Sequence, residues 1–215
     1  MKKNKLKGFT LIEIIVVIAI LGILMAILVP SFIGYLRRAK RTSDIASAKE
    51  IHNNVNHIIT ENKPITWYSS SRKSNVKTNA MQSFYSKSGS SYKNIARGGN
   101  SKFNKIDENG EPYTIMPVAV LDATTDSKWK NIDQEQIPFV EELNAQMCGS
   151  SGTIEIPIKY EPKDDKEGLD RWFICYRVDD PSRIEIWVGV KYGRNSGDTG
   201  GSGTPMYRVY PNAVY

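Results

Sequence analysis

The sequence predicts an α+β protein in which one long N-terminal helix packs on a mostly antiparallel β-sheet. The first observation is residues 9–36, which contain 22 hydrophobic residues and a single charged one. An amphipathic pattern then continues the helix, with apolar residues at three- to four-residue spacing. Short strand-like runs separated by glycine, proline and aspartate follow in the second half of the chain.

The composition limits what the protein can be. A chain of 215 residues allows one ordinary domain with an appendage, or two small domains. The 40% hydrophobic average is uneven, since residues 37–215 are only roughly 35% hydrophobic. A wholly cytosolic globular protein does not fit, because residues 9–36 must lie in a membrane or against other protein. Apolar and aromatic runs in the remainder exclude disorder throughout.

The N-terminal segment has the length of a membrane span. Residues 14–33 at 1.5 Å each cover the ~30 Å hydrocarbon core. A cleaved secretory signal fits less well. The apolar region of such a signal is only ~7–15 residues long, and no cleavage site of the A-x-A type follows the longer apolar run of this chain. Four lysines among the first eight residues are balanced by Arg37, Arg38, Lys40 and Arg41, so charge does not set the orientation.

Two residues at the start of the apolar run do not suit a plain anchor. Glu13 lies five residues into it, where an unpaired acid costs about 2–3 kcal/mol at mid-membrane depth. Gly8 stands where charge ends and the apolar run begins, and a glycine lets an extended backbone enter a protease. Glu13 therefore indicates a functional site within the membrane, and Gly8 indicates a site of proteolytic cleavage.

The segment KGFTLIEIIVVIAILGILMAILVP resembles the prepilin signal of type IV pilins and of the pseudopilins of type II secretion. The resemblance implies that a membrane aspartyl peptidase, the prepilin peptidase, cuts after Gly8 and that Phe9 becomes the N-methylated terminus. It also implies that Glu13 neutralises the terminal ammonium of Phe9 on a neighbouring subunit. The implied pilin fold agrees with the α+β prediction.

The resemblance divides the chain into four segments. Residues 1–8 are the cleaved leader, 9–36 the transmembrane and fibre-core half of the helix, 37–62 its amphipathic half, and 63–215 the globular head. Cleavage would remove four lysines and leave 25 basic and 23 acidic side chains, a formal +2. Most of the +6 of the whole chain therefore belongs to the leader.

The predicted function is that of a structural subunit of a type IV pilus that serves adhesion or motility, without catalytic activity, cofactor or metal. The precursor is expected as a single-pass protein of the cytoplasmic membrane and the product at the cell surface. Expected partners are other pilin subunits, the prepilin peptidase, the pilus assembly machinery and, before assembly, membrane lipid.

Three alternatives remain open. A minor pilin would bind DNA or a host ligand through its exposed surface, and a pseudopilin would form a short periplasmic piston. A plain anchored ectodomain would keep its N-terminus intact. The basic cluster at 37–41 is interpreted as a collar that contacts lipid headgroups, with nucleic-acid binding as the alternative.

The helix is expected over residues 9–62, ending at Asn62-Lys63-Pro64 because proline cannot continue it. Gly22, Pro30 and Gly34 are candidates for helix flexibility during assembly, and a tolerated kink is the alternative. The predicted buried stripe consists of seven apolar residues: Ala39, Ile45, Ala48, Ile51, Val55, Ile58 and Ile59.

The head is predicted to contain strands at 113–121, 153–160, 171–178 and 183–190, a helix at 137–147 and an edge strand at 206–210. Residues 65–112 are expected to form a long surface connection with one short helix near 80–85, and residues 193–203 a flexible loop. Alternation in Ile154-Glu155-Ile156 and Ile184-Glu185-Ile186 predicts a sheet with one face on the helix and one toward solvent.

Candidate sites in the head are weaker. An even pair of cysteines in an exported body predicts a disulfide between Cys148 and Cys175, with two reduced cysteines as the alternative.

His52 and His57 point ~140° apart on a helix and are expected at its surface. An acidic group is expected to be a solvated loop, with calcium binding as the alternative: Asp164, Asp165, Glu167, Asp170, Asp179 and Asp180. The four tryptophans are expected in the core or on the surface of the sheet.

Overall fold

The structure is a computed structural model, and it describes residues 9–70, 72–85, 103–124, 128–132, 134–148, 152–162, 168–190 and 203–214. The chain divides into two compact units, Met1–Thr42 and Ser43–Tyr215. The predicted leader, with Gly8, lies outside the described residues, and so does almost all of the loop predicted at 193–203.

Helix α1 is a single helix, Leu11–Glu61, and confirms the predicted helix to within two residues at each end. Its buried residues within the second unit are Asp44, Ala48, Ile51, Val55 and Ile58. Ala39, which was expected in the buried stripe, is exposed. The helix ends where Asn62 adopts the left-handed conformation (φ 47°), which asparagine tolerates, and Pro64 prevents its continuation.

A small two-stranded sheet follows, and the prediction of a surface connection was wrong here. Strands β1 (Pro64–Ser69) and β2 (Ser74–Asn79) pair antiparallel, with Pro64 opposite Asn79. The polar composition of β2 concealed a strand with a half-buried face. The short helix expected near residues 80–85 is present as α2 (Ala80–Phe84), with the Asn79 side chain accepting a hydrogen bond from the Gln82 backbone N–H at 2.7 Å.

The strands of the main sheet, as far as the structure describes the chain, are β3 (Phe103–Ile106), β4 (Pro112–Asp122), β5 (Lys130–Asn131), β6 (Arg171–Arg177), β7 (Ile184–Val190) and β8 (Thr204–Tyr210). They pair antiparallel throughout, in the order β3-β4-β6-β7-β8, with the two-residue strand β5 on β4. Helix α3 (Ile137–Met147) follows a 3₁₀ turn at Gln134–Gln136. The predicted α+β class, the helix at 137–147 and four of the five predicted strands are confirmed.

The strand predicted at 153–160 is not part of either sheet. The Asp44 carboxylate accepts the backbone N–H groups of Lys159 (3.1 Å) and Tyr160 (2.8 Å), and the indole N–H of Trp172 donates to the Ile156 carbonyl at 2.8 Å. Side chains thus take the place of a neighbouring strand. Pro157 has no N–H to offer to a ladder, which also disfavours pairing.

The principal core lies between the helices and one face of the main sheet. It combines the buried stripe of α1 with residues of α2, α3 and alternate positions of β6 and β7, such as Trp172, Ile174 and Ile186. All four tryptophans are at most 9% exposed, so they belong to the interior of the head.

The second face of the main sheet is also covered, contrary to the prediction that it faces solvent. Every residue of β6 and β7 is buried. A second cluster on this face contains Tyr113, Ile115, Val120, Phe173, Cys175 and Trp187. A register shift in β4 between Pro117 and Ala119 moves Val120 to this face, as a bulge does.

A charged network covers this second cluster. Glu185 is completely buried and accepts hydrogen bonds from Trp187 Nε1 (2.9 Å), Arg208 Nη1 (3.2 Å) and the Tyr113 hydroxyl (3.3 Å). Arg208 also reaches Glu108 at 2.6 Å. Burial, with the neighbouring Glu185 carboxylate, raises the pKa of Tyr113 to about 12. A glutamate that alternation places toward solvent is therefore an interior residue with three partners.

Candidate functional site

The N-terminus of α1 is closed by a reciprocal pair of hydrogen-bonding residues. Glu13 Oε2 accepts hydrogen bonds from the Thr10 backbone N–H and from the Thr10 hydroxyl, both at 2.8 Å. The Thr10 Oγ1 in turn faces the Glu13 backbone N–H at 3.4 Å. This is a capping box, which satisfies backbone groups that the first turn of a helix leaves unpaired.

Thr10 was missed by the sequence reasoning, although the signal was present. The pattern Thr10-Leu11-Ile12-Glu13 is the S/T-x-x-E signature of a capping box ahead of an apolar run. The same glutamate can thus be both an intramembrane acid and the N3 residue of a helix cap.

The cap occupies one oxygen of the Glu13 carboxylate. The other oxygen, Oε1, accepts no hydrogen bond from the described residues. Both Glu13 and Phe9 are exposed, Phe9 to 86%. A cationic donor from another molecule can therefore reach Glu13 without displacing Thr10, and a hydrogen bond from a cationic donor to a carboxylate is roughly twice as strong as a neutral one.

The apolar surface of the first unit is uncovered. The large apolar side chains between Leu11 and Leu36 are each at least 43% exposed. By length and composition α1 could cross a membrane, since its most apolar 18-residue window has a mean hydropathy of 3.2 and none of that window is buried. An apolar surface of this size marks contact with lipid or with other protein.

The three residues proposed for helix flexibility lie within this apolar part. The helix continues through Pro30, whose ring removes one backbone hydrogen bond from the ladder. A Cβ atom added at Gly22 or Gly34 would meet no atom of the described residues within 4 Å, apart from its chain neighbours and the backbone of its own helical turns. The packing of the chain on itself therefore does not require either glycine, and their flexibility stays a prediction.

The two cysteines are free thiols, so the predicted disulfide is not formed. Cys148 follows α3 and packs against the helix-side core, whereas Cys175 lies in β6 within the cluster on the second face. The two side chains thus belong to opposite faces of the sheet. Burial raises the pKa of Cys175 well above its usual value, with a further contribution from Glu185.

The histidines do not lie at equivalent surface positions. His52 is half-buried, with its ring 4.6 Å from that of Tyr210, and burial lowers its pKa. His57 is exposed and lies 3.6 Å from Glu61. The sequence pattern could not reveal the Tyr210 contact, because it joins residues 158 positions apart.

Half of the acidic group considered for calcium lies outside the described residues: Asp164, Asp165 and Glu167. Asp179 forms an ion pair with Arg177 at 2.9 Å, and Asp180 accepts a hydrogen bond from the Ser182 hydroxyl at 2.6 Å. Within the described parts of the chain, no three potential ligand side chains come together as a metal site.

Comparison with known proteins finds a family match in the N-terminal segment. Residues 3–29 match the family described as "Prokaryotic N-terminal methylation motif". The chain is 44% identical over 46 residues to the "Type IV major pilin protein PilA" of Myxococcus xanthus, and 57% identical over 37 residues to a "Fimbrial protein" of Moraxella nonliquefaciens. It is 39% identical over 59 residues to a "Fimbrial protein" of Pseudomonas aeruginosa.

These alignments are short. They cover 21%, 17% and 27% of this chain and 21%, 24% and 38% of the respective relatives, so the chain matches less than half the length of each. No solved structure matches the chain. The long helix followed by an antiparallel sheet is consistent with the type IV pilin fold. The resemblance to type IV pilins is therefore confirmed for the N-terminal segment that carries the methylation motif.

Proposed function

We propose that this protein is a structural subunit of a type IV pilus, made as a membrane precursor and assembled into a surface filament. The observation that carries the proposal is an uncovered apolar helix that begins with the methylation motif and presents one exposed carboxylate, Glu13. In this proposal the prepilin peptidase cuts between Gly8 and Phe9, and the new terminus is N-methylated.

The apolar part of α1 would serve two environments in turn. Before assembly it lies in the cytoplasmic membrane, where lipid covers its side chains. In the filament the same side chains pack against the helices of other subunits. Lipid is as apolar as leucine, so the transfer gains little hydrophobic energy, and helix packing together with removal of an unpaired charge must favour assembly.

Glu13 would carry the unpaired charge whose neutralisation favours assembly. Its Oε1 oxygen can accept the terminal ammonium of Phe9 from a neighbouring subunit while Oε2 remains bonded to Thr10. The contact joins two different surfaces, so each added subunit presents a new Phe9 or a new Glu13 to the next. Contacts of this head-to-tail type build open helical filaments when the rotation does not close a ring.

The basic residues after the apolar part fit the membrane stage. Arg37, Arg38 and Lys40 are exposed and lie in the turns that follow Leu36. At the edge of a span, such residues contact anionic lipid headgroups, each contributing about 1 kcal/mol. We assign them to the precursor in the membrane.

Mass spectrometry of filaments sheared from cells tests the proposal. The expected result is a chain that starts at N-methylated Phe9 and is the main component of the filaments. Trace amounts in filaments of another subunit would indicate a minor pilin instead. A chain that retains Met1–Gly8 and stays in the membrane fraction would contradict both and favour an anchored ectodomain.

A further inference from the structure

A small cleft lies between the β1–β2 hairpin, α2 and the 3₁₀ turn, in a part of the head that the proposed function does not use. Its volume is about 100 Å³. Since one liquid water takes up about 30 Å³, the cleft has room for roughly three waters, or for one compact polar group. It is too small to enclose a sugar ring or a nucleotide base.

The residues that line the cleft carry more positive than negative charges. Arg72 and Lys77 contribute two cations, against the single carboxylate of Glu135. The Arg72 Nη2 atom donates to Glu135 Oε1 at 3.3 Å, and the Nε and Nη1 atoms of that guanidinium have no acceptor among the described residues. The ammonium group of Lys77 forms no ion pair with the described residues.

Two neutral donors add to the cations. The Gln82 Oε1 atom accepts the Thr78 hydroxyl at 3.3 Å, so the amide nitrogen of Gln82 remains to donate. The indole N–H of Trp67 has no acceptor among the described residues. Trp67 is almost buried and lines the cleft, so its indole signal should respond to a group that binds there.

We propose that this cleft binds an oxyanion group, either a phosphate or the carboxylate of an acidic sugar, with the rest of the ligand lying outside. Both groups are compact anions whose oxygen atoms accept hydrogen bonds from guanidinium and ammonium donors. Glu135 holds Arg72 in position. The proposal concerns the head alone and holds whether or not the chain assembles into filaments.

The test uses the indole N–H signals in ¹H–¹⁵N NMR spectra of the full chain in neutral detergent micelles. The signal of Trp67 is assigned with Trp67→Phe. Sodium phosphate, sodium glucuronate and glucose are then titrated at constant ionic strength. The Trp67 signal should shift with saturation for at least one of the two anions, and which anion does so identifies the source of the group.

Charge-removing variants locate the binding site. Arg72→Gln and Lys77→Gln should each weaken the binding by up to about fivefold, as expected for an exposed ion pair. Lys128→Gln removes one positive charge from an exposed position that does not line the cleft and should leave the affinity unchanged. Unshifted signals of Trp172 and Trp187 show that the fold of each variant is intact.

Three results would overturn the proposal. The first is a Trp67 signal that does not saturate with either anion. The second is an equal shift with glucose, which carries no charge. The third is a loss of affinity in Lys128→Gln that equals the loss in Lys77→Gln, since this would indicate attraction by net charge alone.

Discussion

The carboxylates of the N-terminal unit and of the second unit differ in their exposure and in where their partners come from. In the N-terminal unit, Glu13 is exposed among apolar side chains and has one oxygen bonded to its own chain. In the second unit, Ser43–Tyr215, Asp44 of α1 and Glu185 of the head are buried and their partners belong to the same chain. A buried acid with its own partners stabilises one fold, whereas an exposed acid in an apolar surface needs a partner from outside.

The comparison gives each carboxylate a different measurable role. Loss of Glu13 should affect assembly and leave the stability of the head unchanged. Loss of Asp44 or Glu185 should affect stability first. Substitutions of these three residues therefore test whether the division between the two units is real.

The largest effect is expected for Glu13→Gln. Glutamine can still close the capping box but carries no charge, so surface filaments should be absent or strongly reduced while leader cleavage continues. Electron microscopy of cells, with mass spectrometry of the membrane fraction, measures both. Glu13→Ala should give the same loss, and abundant filaments of Glu13→Gln would contradict the role of the charge.

Glu185→Ala should destabilise the head by about 3–5 kcal/mol, because it leaves the Arg208 guanidinium buried without its carboxylate on that side. Urea unfolding of the full chain in detergent, followed by tryptophan fluorescence, measures the change. Glu155→Ala, an exposed glutamate in the segment at 153–162, serves as the control and should change stability by less than about 0.5 kcal/mol.

Asp44→Ala should cost about 1–3 kcal/mol, because the N–H groups of Lys159 and Tyr160 lose their acceptor. The same unfolding experiment applies, and hydrogen exchange should report faster exchange at these two amides. Glu50→Ala removes an exposed carboxylate from the same helix and should have little effect. Unchanged exchange at Lys159 and Tyr160 would contradict the anchoring role of Asp44.

The free thiols give a smaller, qualitative prediction. In the folded protein at pH 8, a maleimide should modify the partly exposed Cys148, whereas Cys175 should react only after unfolding, because it is buried and its raised pKa keeps the thiol protonated. Mass spectrometry counts the labels. If the unfolded protein took up no label unless a reductant was added, the two cysteines would be bonded to each other and the disulfide prediction would be correct.

The smallest effect is expected for Thr10→Val, which removes the hydroxyl of the cap and keeps the charge of Glu13. Loss of a cap costs about 0.5–2 kcal/mol of helix stability, and a 51-residue helix held by lipid should tolerate this. Filaments should therefore still form. If Thr10→Val abolished them as Glu13→Gln does, the cap would be the essential feature.

Most of the fold could be predicted from the sequence where local periodicity matches burial. The apolar run and amphipathic stripe set α1, and strands such as β6 and β7 are apolar enough to be recognised. The hairpin was missed because Ser74–Asn79 is polar, and its burial depends on packing against α2 and α3. The strand predicted at 153–160 failed because a distant side chain, Asp44, took the hydrogen bonds that a neighbouring strand would have made.

In the candidate site too, residues with a local pattern could be predicted, and residues whose partners are distant in sequence could not. Glu13 and the cleavage motif lie in one continuous segment, so composition and spacing reveal them. Glu185 looked like a solvent-facing residue, because Arg208 and Tyr113, which come from other strands, do not appear in its local pattern. Sequence periodicity predicts which face of a helix or strand is apolar, but it does not predict which distant residues will pair with a charged side chain in the interior.

The capping box also separates the chain terminus from the helix. Thr10 is the residue that begins the ladder, since its carbonyl accepts the Ile14 N–H at 3.4 Å, and Phe9 lies one residue outside. Alkylation of the Phe9 nitrogen would therefore consume no hydrogen bond of α1. The enzymes proposed to cut and methylate this terminus could work on it without unwinding a turn, so the same helix can serve before and after the modification.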